Sequence, residues 1–185
     1  MARFVHLNGP PGIGKSTLSA LLADRVPGTL NLDADKVHQL VGGWRDETVD
    51  TWPIAWSVVR AMAATHLDGG RDVVMPQYLA RTERIDTFEQ LAHEHGASFR
   101  EVVLLDERAP AIERFHRRAR DSDDPWIRHH HLRADPGEMY DKLTAAVRLR
   151  PAAVVVPSRA RAVRETYDAL VVALSRPAGD GRGRR

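Results

Sequence analysis

The chain has 185 residues, 43% of them hydrophobic and 28% charged, a composition typical of one soluble globular domain with a sizeable core. It contains no cysteine, which excludes disulfides and thiol chemistry, and no apolar run approaches the roughly 18 residues of a membrane helix. The formal net charge is +2, of which residues 176–185 supply +3 (four Arg against one Asp), leaving about −1 for the rest. We therefore expect one cytoplasmic domain at 1–175, a disordered Gly/Arg-rich tail at 176–185 and no membrane partner, and the slightly negative charge of residues 1–175 disfavours a nucleic acid as partner.

Apolar runs alternate with helical patterns along the whole chain, which predicts an α/β fold with a parallel sheet. Continuous apolar runs at 73–75 and 102–105 indicate strands that are buried on both faces. Gly69-Gly70 and Gly96 stand where helices should end. The predicted strands are 3–8, 29–33, 71–76, 100–106 and 152–156. The predicted helices are 15–25, 34–42, 52–68, 82–95, 109–120, 136–149 and 160–174.

The most informative motif lies between the first strand and the first helix, in Gly9-Pro10-Pro11-Gly12-Ile13-Gly14-Lys15-Ser16. This segment matches the phosphate-binding P-loop pattern G-x-x-x-x-G-K-[ST] in its proper strand–loop–helix context. Backbone N–H groups of such a loop, together with the helix N-terminus, bind a triphosphate. The predicted nucleotide-binding residues are Gly9, Pro10, Pro11, Gly12, Ile13, Gly14, Lys15, Ser16 and Thr17. Lys15 would reach the β- and γ-phosphates, and the Ser16 hydroxyl would ligate Mg²⁺.

Two carboxylates follow the second strand, in Leu32-Asp33-Ala34-Asp35-Lys36-Val37. One could enter the Mg²⁺ shell, while the other accepts a proton from an attacking hydroxyl in line with the γ-phosphate. Either Asp could instead cap the next helix. We predict Asp33 as a metal and substrate residue and Asp35 as the catalytic base.

With the P-loop and the later arginine-rich segment, this D-x-D resembles the P-loop kinases of the nucleoside monophosphate kinase-like group. That group includes adenylylsulfate, shikimate, gluconate, chloramphenicol and polynucleotide 5′-hydroxyl kinases, and small AAA-type ATP-binding kinases. Residues 32–38 look most like the L-D-G-D-x-[IV]-R of adenylylsulfate kinases, which places Asp35 on their catalytic Asp. Asp33 falls on the carboxylate that shikimate kinases use near Mg²⁺. The resemblance implies a three-layer P-loop NTPase, with a five-stranded parallel sheet flanked by helices and a mobile Arg-rich lid at about 116–135.

The sequence departs from that family pattern at two places. The third strand ends in Met75-Pro76-Gln77 without an acid, so Asp33 or Asp106 would compensate, or Ser16, phosphates and water would hold Mg²⁺. His38 replaces the usual Arg after the D-x-D.

The segment after the fourth strand is rich in arginine, and Arg114 and Arg118 are four residues apart on one predicted helix face. The resemblance implies that such lid arginines neutralise the transferring phosphoryl group, and we predict both as catalytic. The alternative is a solvated basic face.

The phosphate acceptor should bind between the second and third strands, where the resemblance places the acceptor region. Trp52 and Trp56 could line a pocket for a planar or sugar-bearing acceptor, or could be ordinary packing residues. The predicted substrate-binding set is Asp33, Asp35, Arg45, Trp52, Trp56, Gln77 and Arg84, and Arg159 would stack on the adenine base. We expect the run His129-His130-His131 to be solvated rather than a metal site, and His6 to be a core histidine.

The sequence thus predicts an ATP- and Mg²⁺-dependent kinase that transfers the γ-phosphate to a hydroxyl of a small molecule. Two alternatives stay open. One is a polynucleotide 5′-hydroxyl kinase, which would need a basic groove for the nucleic-acid backbone. The other is a non-catalytic ATP-binding regulatory module.

Overall fold

Five strands form one parallel sheet in the computed structural model of this protein, which describes residues 1–46, 48–127 and 134–175. The strands are β1 (Arg3–Asn8), β2 (Leu30–Asn31), β3 (Val73–Met75), β4 (Ser98–Leu105) and β5 (Val154–Pro157). The helices within the described residues are α1 (Lys15–Arg25), α2 (Ala34–Gln39), α3 (Trp52–Asp68), α4 (Thr82–Glu94), α5 (Arg108–Asp121), α6 (Pro136–Arg148) and α7 (Val163–Ser175). The expected tail, the three adjacent histidines and the rest of residues 128–133 in the expected lid lie outside the described residues.

The strand order is β2-β3-β1-β4-β5, with β1 at the centre. Val5 of β1 lies opposite Val74 of β3 on one side and opposite Arg100 of β4 on the other. The chain therefore crosses over β1 between β3 and β4, which opens a crevice at the carboxyl ends of these strands. This parallel α/β architecture confirms the predicted fold class, whereas the Arg-rich lid stays a prediction.

The two faces of the sheet bury separate apolar clusters, as alternation along β1 requires. Phe4 packs with α3 and α4 residues such as Val59 and Phe88 on one face. Val5 packs on the opposite face with residues of α1 and α7, including Leu18 and Leu170. The sheet is thus covered by helices on both sides, and only its edge remains available for a site.

Several element boundaries differ from those predicted, for local reasons. Strand β2 stops at Asn31 because Asp33 already caps α2, its side chain accepting a hydrogen bond from the Asp35 N–H. Helix α7 begins at Val163 rather than 160, after Arg161, which has a φ of 64°. Gly70 and Gly96 follow α3 and α4 in left-handed conformation, so the predicted helix ends are confirmed. No helix in the described ranges has the length and apolar character needed to span a bilayer.

Candidate active site

The P-loop turns sharply between β1 and α1 because its glycines allow close approach of other backbone. A Cβ on Gly9 (φ 147°) would lie 2.7 Å from the Leu104 carbonyl oxygen of the neighbouring strand. A Cβ on Gly12 (φ 83°) would lie 3.2 Å from the Arg114 carbonyl oxygen of α5. The loop is therefore packed against β4 and α5, and both positions require glycine.

The Lys15 side chain is buried at the first turn of α1. Its ammonium donates hydrogen bonds to the carbonyls of Gly9 at 2.7 Å and Pro10 at 3.0 Å, across the loop. Burial and, to a lesser extent, the positive charge of Arg118 lower the pKa of this ammonium to about 7, against the opposing effect of Asp35 and Asp33. The charged form of Lys15 is thus disfavoured in the free protein, and an anionic ligand would stabilise it.

The start of α1 offers N–H donors to an anion. The first hydrogen bond that closes this helix joins the Leu18 N–H to the Gly14 carbonyl at 3.0 Å. The N–H groups of Lys15, Ser16 and Thr17 have no helical acceptor, as at any helix N-terminus. Together with the Lys15 ammonium, this donor set fits the chemistry of a nucleotide's phosphates.

These groups face a cavity of about 440 Å³ at the carboxyl edge of the sheet. Asp35 lines it, and one carboxylate oxygen of Asp35 accepts a hydrogen bond from the Gln77 side-chain amide at 3.1 Å. Of the predicted site residues, the cavity brings together Pro11, Gly12, Gly14, Lys15, Ser16, Thr17, Asp33, Asp35, Trp52, Gln77 and Arg118. Gly9, Pro10 and Ile13 are buried and do not line the cavity.

Asp33 both caps a helix and faces the cavity. It is the N-cap of α2, and it also lines the cavity. Burial raises the pKa of its carboxyl, and the neighbouring Asp35 carboxylate adds to the rise. Because its charged form is disfavoured in this way, the Asp33 carboxylate would be stabilised by a nearby cation. The described residues contain no cluster of three or more His, Cys, Asp or Glu side chains that could hold a metal alone.

The two arginines predicted to act together lie in different environments. Arg118 is exposed at the cavity and forms no ion pair with any described residue. Arg114 does not line the cavity, and its guanidinium donates to Asp106, the Ser158 carbonyl and the Ile13 carbonyl at 3.1, 2.5 and 3.1 Å. The geometry does not support a phosphate-facing Arg114, because contacts from β4 and β5 hold the side chain behind the P-loop.

Asp106 is one of the groups that the Arg114 guanidinium contacts. Its carboxylate pairs with Arg114 at 3.1 Å and is largely buried. The alternative in which Asp106 replaces the missing acid of β3 therefore loses support.

Four further predicted residues lie away from this cavity. Arg45 stacks on the Trp44 ring at 4.6 Å, and the exposed Arg159 follows β5 without reaching the cavity lining. Trp56 and Arg84 line a neighbouring cavity instead, to which Trp52 also contributes.

Three residues that shape the site were not among the predicted site residues. Asn8 joins β1 to the segment after β3, because its side chain donates to the Leu79 carbonyl and accepts from the N–H groups of Leu79 and Gly9. Tyr78 lines the cavity and donates to the Met139 carbonyl at 3.0 Å. Trp126, in the expected lid, is buried against His38, Trp44 and Trp52. The positions of Asn8 at the end of β1 and of Tyr78 after β3 were the sequence signals that could have identified these two residues.

A parallel five-stranded sheet with a P-loop after its central strand is the arrangement of a P-loop nucleotide-binding domain. The chain belongs to the family whose model is described as "AAA domain", which matches residues 4–135. This membership agrees with the predicted P-loop kinase group. No curated protein matches the chain significantly in sequence.

Solved structures share the fold at low sequence identity. The tunicamycin resistance protein of Deinococcus radiodurans has a TM-score of 0.61 and 16% identity, covering 95% of this chain and 96% of that one. A gluconokinase from Sinorhizobium meliloti 1021 has a TM-score of 0.59 and 18% identity, with 94% and 92% coverage. A chain of the Pnkp1/Rnl/Hen1 RNA repair complex has a TM-score of 0.61 and 14% identity, covering 80% of this chain but 46% of its own.

Proposed function

We propose that this protein is an ATP-dependent phosphotransferase that moves the γ-phosphate to a hydroxyl of a small molecule. The observation that carries the proposal is one cavity with the P-loop donors and Lys15 on one wall and the Asp35 carboxylate on another. A triphosphate and an alcohol bound there would bring the γ-phosphorus next to an acceptor oxygen. Membership of a P-loop kinase family supports the same reaction class.

Each group has a role that follows from its environment. The buried Lys15 ammonium and the N–H groups of α1 would bind the β- and γ-phosphates, where low local dielectric strengthens the attraction. Ser16 and Asp33 would hold Mg²⁺, which supplies charge neutralisation on the phosphates. Arg118, exposed and unpaired among described residues, would add a second cation beside the transferring group.

Asp35 would act on the acceptor. The Gln77 amide holds one of its carboxylate oxygens, which leaves the other free to accept the hydroxyl proton. The acceptor oxygen forms a bond to the γ-phosphorus, the bond from that phosphorus to the β–γ bridging oxygen breaks, and ADP leaves. The proton of the hydroxyl goes to Asp35.

A direct experiment identifies the acceptor. The protein is incubated with Mg²⁺, ATP labelled with ¹⁸O in the γ-phosphate, and pools of alcohols that include sugars, sugar acids, nucleosides and antibiotics. We expect one compound to gain a labelled phosphate by mass spectrometry. A labelled 5′-phosphorylated oligonucleotide from a parallel pool would favour the polynucleotide kinase. Nucleotide binding without any labelled product would favour the regulatory module.

A further inference from the structure

A second cavity, of about 610 Å³, lies beside the first between the N-terminal turns of α3 and α4. Its lining includes Trp52, Trp56 and Phe88, with Arg60, Arg81 and Arg84. Trp52 also lines the nucleotide-side cavity, so the two spaces adjoin at this residue. A molecule that reaches Asp35 could extend across Trp52 into the second cavity.

One wall of this second cavity is aromatic. The Trp52 and Trp56 rings are stacked with centroids 5.4 Å apart and an interplanar angle of 23°. Phe88 meets Trp56 edge-on at 5.8 Å, and His38 stacks on the other side of Trp52 at 4.0 Å. Neighbouring groups therefore fix the orientation of both indoles, which gives the cavity a preformed apolar wall.

The rim of the cavity carries an excess of cations. Arg60, Arg81 and Arg84 are exposed, and none of them forms an ion pair with a described residue; Arg84 only stacks on Trp56, at 5.0 Å. Two acids line the same space, Asp50 and Glu83, and the Asp50 carboxylate already accepts a hydrogen bond from the backbone N–H of Trp52. Guanidinium groups that have no ion-pair partner and surround an aromatic wall are suited to bind an anionic group attached to a ring.

We infer that this cavity is the outer half of the acceptor site and binds the far end of an elongated acceptor, a planar or apolar ring that carries a carboxylate, sulfate or phosphate. The inference rests on the proposed function, which places the acceptor hydroxyl at Asp35. It names the acceptor as an anionic amphiphile rather than a neutral sugar. Contacts in this cavity would bind the acceptor equally in the ground state and the transition state, and so lower its KM.

Probe binding tests the site without requiring catalysis. Naphthalene-2-sulfonate and its neutral analogue naphthalene-2-methanol are titrated into protein labelled with ¹⁵N in the tryptophan indoles, and the Trp56 signal is assigned with Trp56→Phe. We expect the sulfonate to shift the Trp56 and Trp52 signals and to bind more tightly than the alcohol. Arg60→Gln and Arg84→Gln should each weaken sulfonate binding about fivefold, as expected for an exposed charge-assisted contact, and leave the alcohol unaffected.

Arg25→Gln is the matched control. Arg25 is exposed and stacks on Tyr167 at 5.1 Å, much as Arg84 stacks on Trp56, but it lines neither cavity. Equal binding of the two probes, or sulfonate binding unchanged in both cavity variants, would overturn the inference. Intact sulfonate binding in a protein that transfers no phosphate would instead contradict the proposed function alone. Once the acceptor is known, the two cavity variants should raise its KM and leave kcat nearly unchanged.

Discussion

At the scale of single residues, the environment of Lys15 explains why a P-loop without nucleotide is electrostatically incomplete. Its ammonium is buried, contacts only carbonyl oxygens and lies near the like charge of Arg118. Its pKa of about 7 means that a large fraction of the free protein carries a neutral amine above neutral pH. A bound triphosphate reverses this balance, because negative charge favours the ammonium form.

The first prediction is therefore proton uptake on nucleotide binding. At pH 8 the free protein has mostly neutral Lys15, and Mg·ATP binding should take up close to one proton, whereas at pH 6 the uptake should be small. Calorimetric titrations in buffers of different ionisation enthalpy measure the number of protons taken up. The side chain of Lys15→Arg is charged at both pH values, so binding of Mg·ATP to this variant should take up no proton. Equal heats in all buffers at pH 8 would contradict the assigned environment.

The second prediction separates the two arginines. Arg114→Gln removes hydrogen bonds to the Ile13 and Ser158 carbonyls and leaves the buried Asp106 carboxylate unpaired, so the free energy of unfolding should fall by about 3 kcal/mol. Its KM for ATP should rise because the P-loop loses support. Arg118→Gln should leave stability unchanged and lower kcat by about 100-fold or more, as for other cations at transferring phosphates. Urea unfolding measures the stability of both variants, and steady-state kinetics measure their kcat and KM. A large loss of kcat in Arg114→Gln together with a loss of stability in Arg118→Gln would instead support a phosphate-binding role for Arg114.

At the scale of elements, the site depends on how β1 and β3 are joined at their carboxyl ends. Asn8 bonds to Leu79, and the His6 Nε2 lies 2.9 Å from the Gln77 carbonyl. A carbonyl only accepts, so Nε2 carries the proton of a neutral ring, and burial lowers the His6 pKa to about 4. These contacts hold the segment that presents Gln77 to Asp35.

The third prediction concerns acid stability. The unfolded chain binds a proton at His6 below pH 6.5, but the folded chain does so only near pH 4, so the free energy of unfolding should fall as the pH drops through this range. Between pH 7 and 5 the contribution of His6 is about 2 kcal/mol. His6→Gln should lose that part of the pH dependence. His66→Gln is the control, since His66 also contacts a carbonyl, that of Gly28, but at an exposed position. The same pH slope in wild type and His6→Gln would contradict the account.

At the scale of the whole molecule, the sequence was sufficient for the sheet and the P-loop but not for the acceptor side. Runs such as 102–105 and the fixed P-loop spacing are local signals, and they predicted the strands and the position of Lys15 correctly. The direction of Arg114 depends on Ser158, which is 44 residues away, and no local pattern contains that contact. The same holds for Trp56 and Arg84, which meet across two helices to form the second cavity.

The fourth prediction follows from Trp126, which connects the expected lid to the acceptor region. Its ring packs on Trp44, Trp52 and His38 and is almost fully buried. Trp126→Ala should expose this cluster and raise the KM for the acceptor several-fold more than the KM for ATP. Trp126→Phe, which retains an apolar ring, should recover most of the loss. Equal changes in both KM values would mean that Trp126 serves general stability rather than the acceptor side.

The central claim is that Asp35 accepts the proton of an alcohol beside a nucleotide bound by the P-loop. The most direct measurement compares phosphate transfer by wild type, Asp35→Asn and Asp33→Asn at nucleotide concentrations that saturate each protein. We predict that Asp35→Asn binds Mg·ATP with nearly unchanged affinity and transfers phosphate about 100-fold or more slowly, the usual cost of losing a general base. Asp33→Asn should chiefly raise the Mg²⁺ concentration required. Transfer by Asp35→Asn at the wild-type rate would contradict the account.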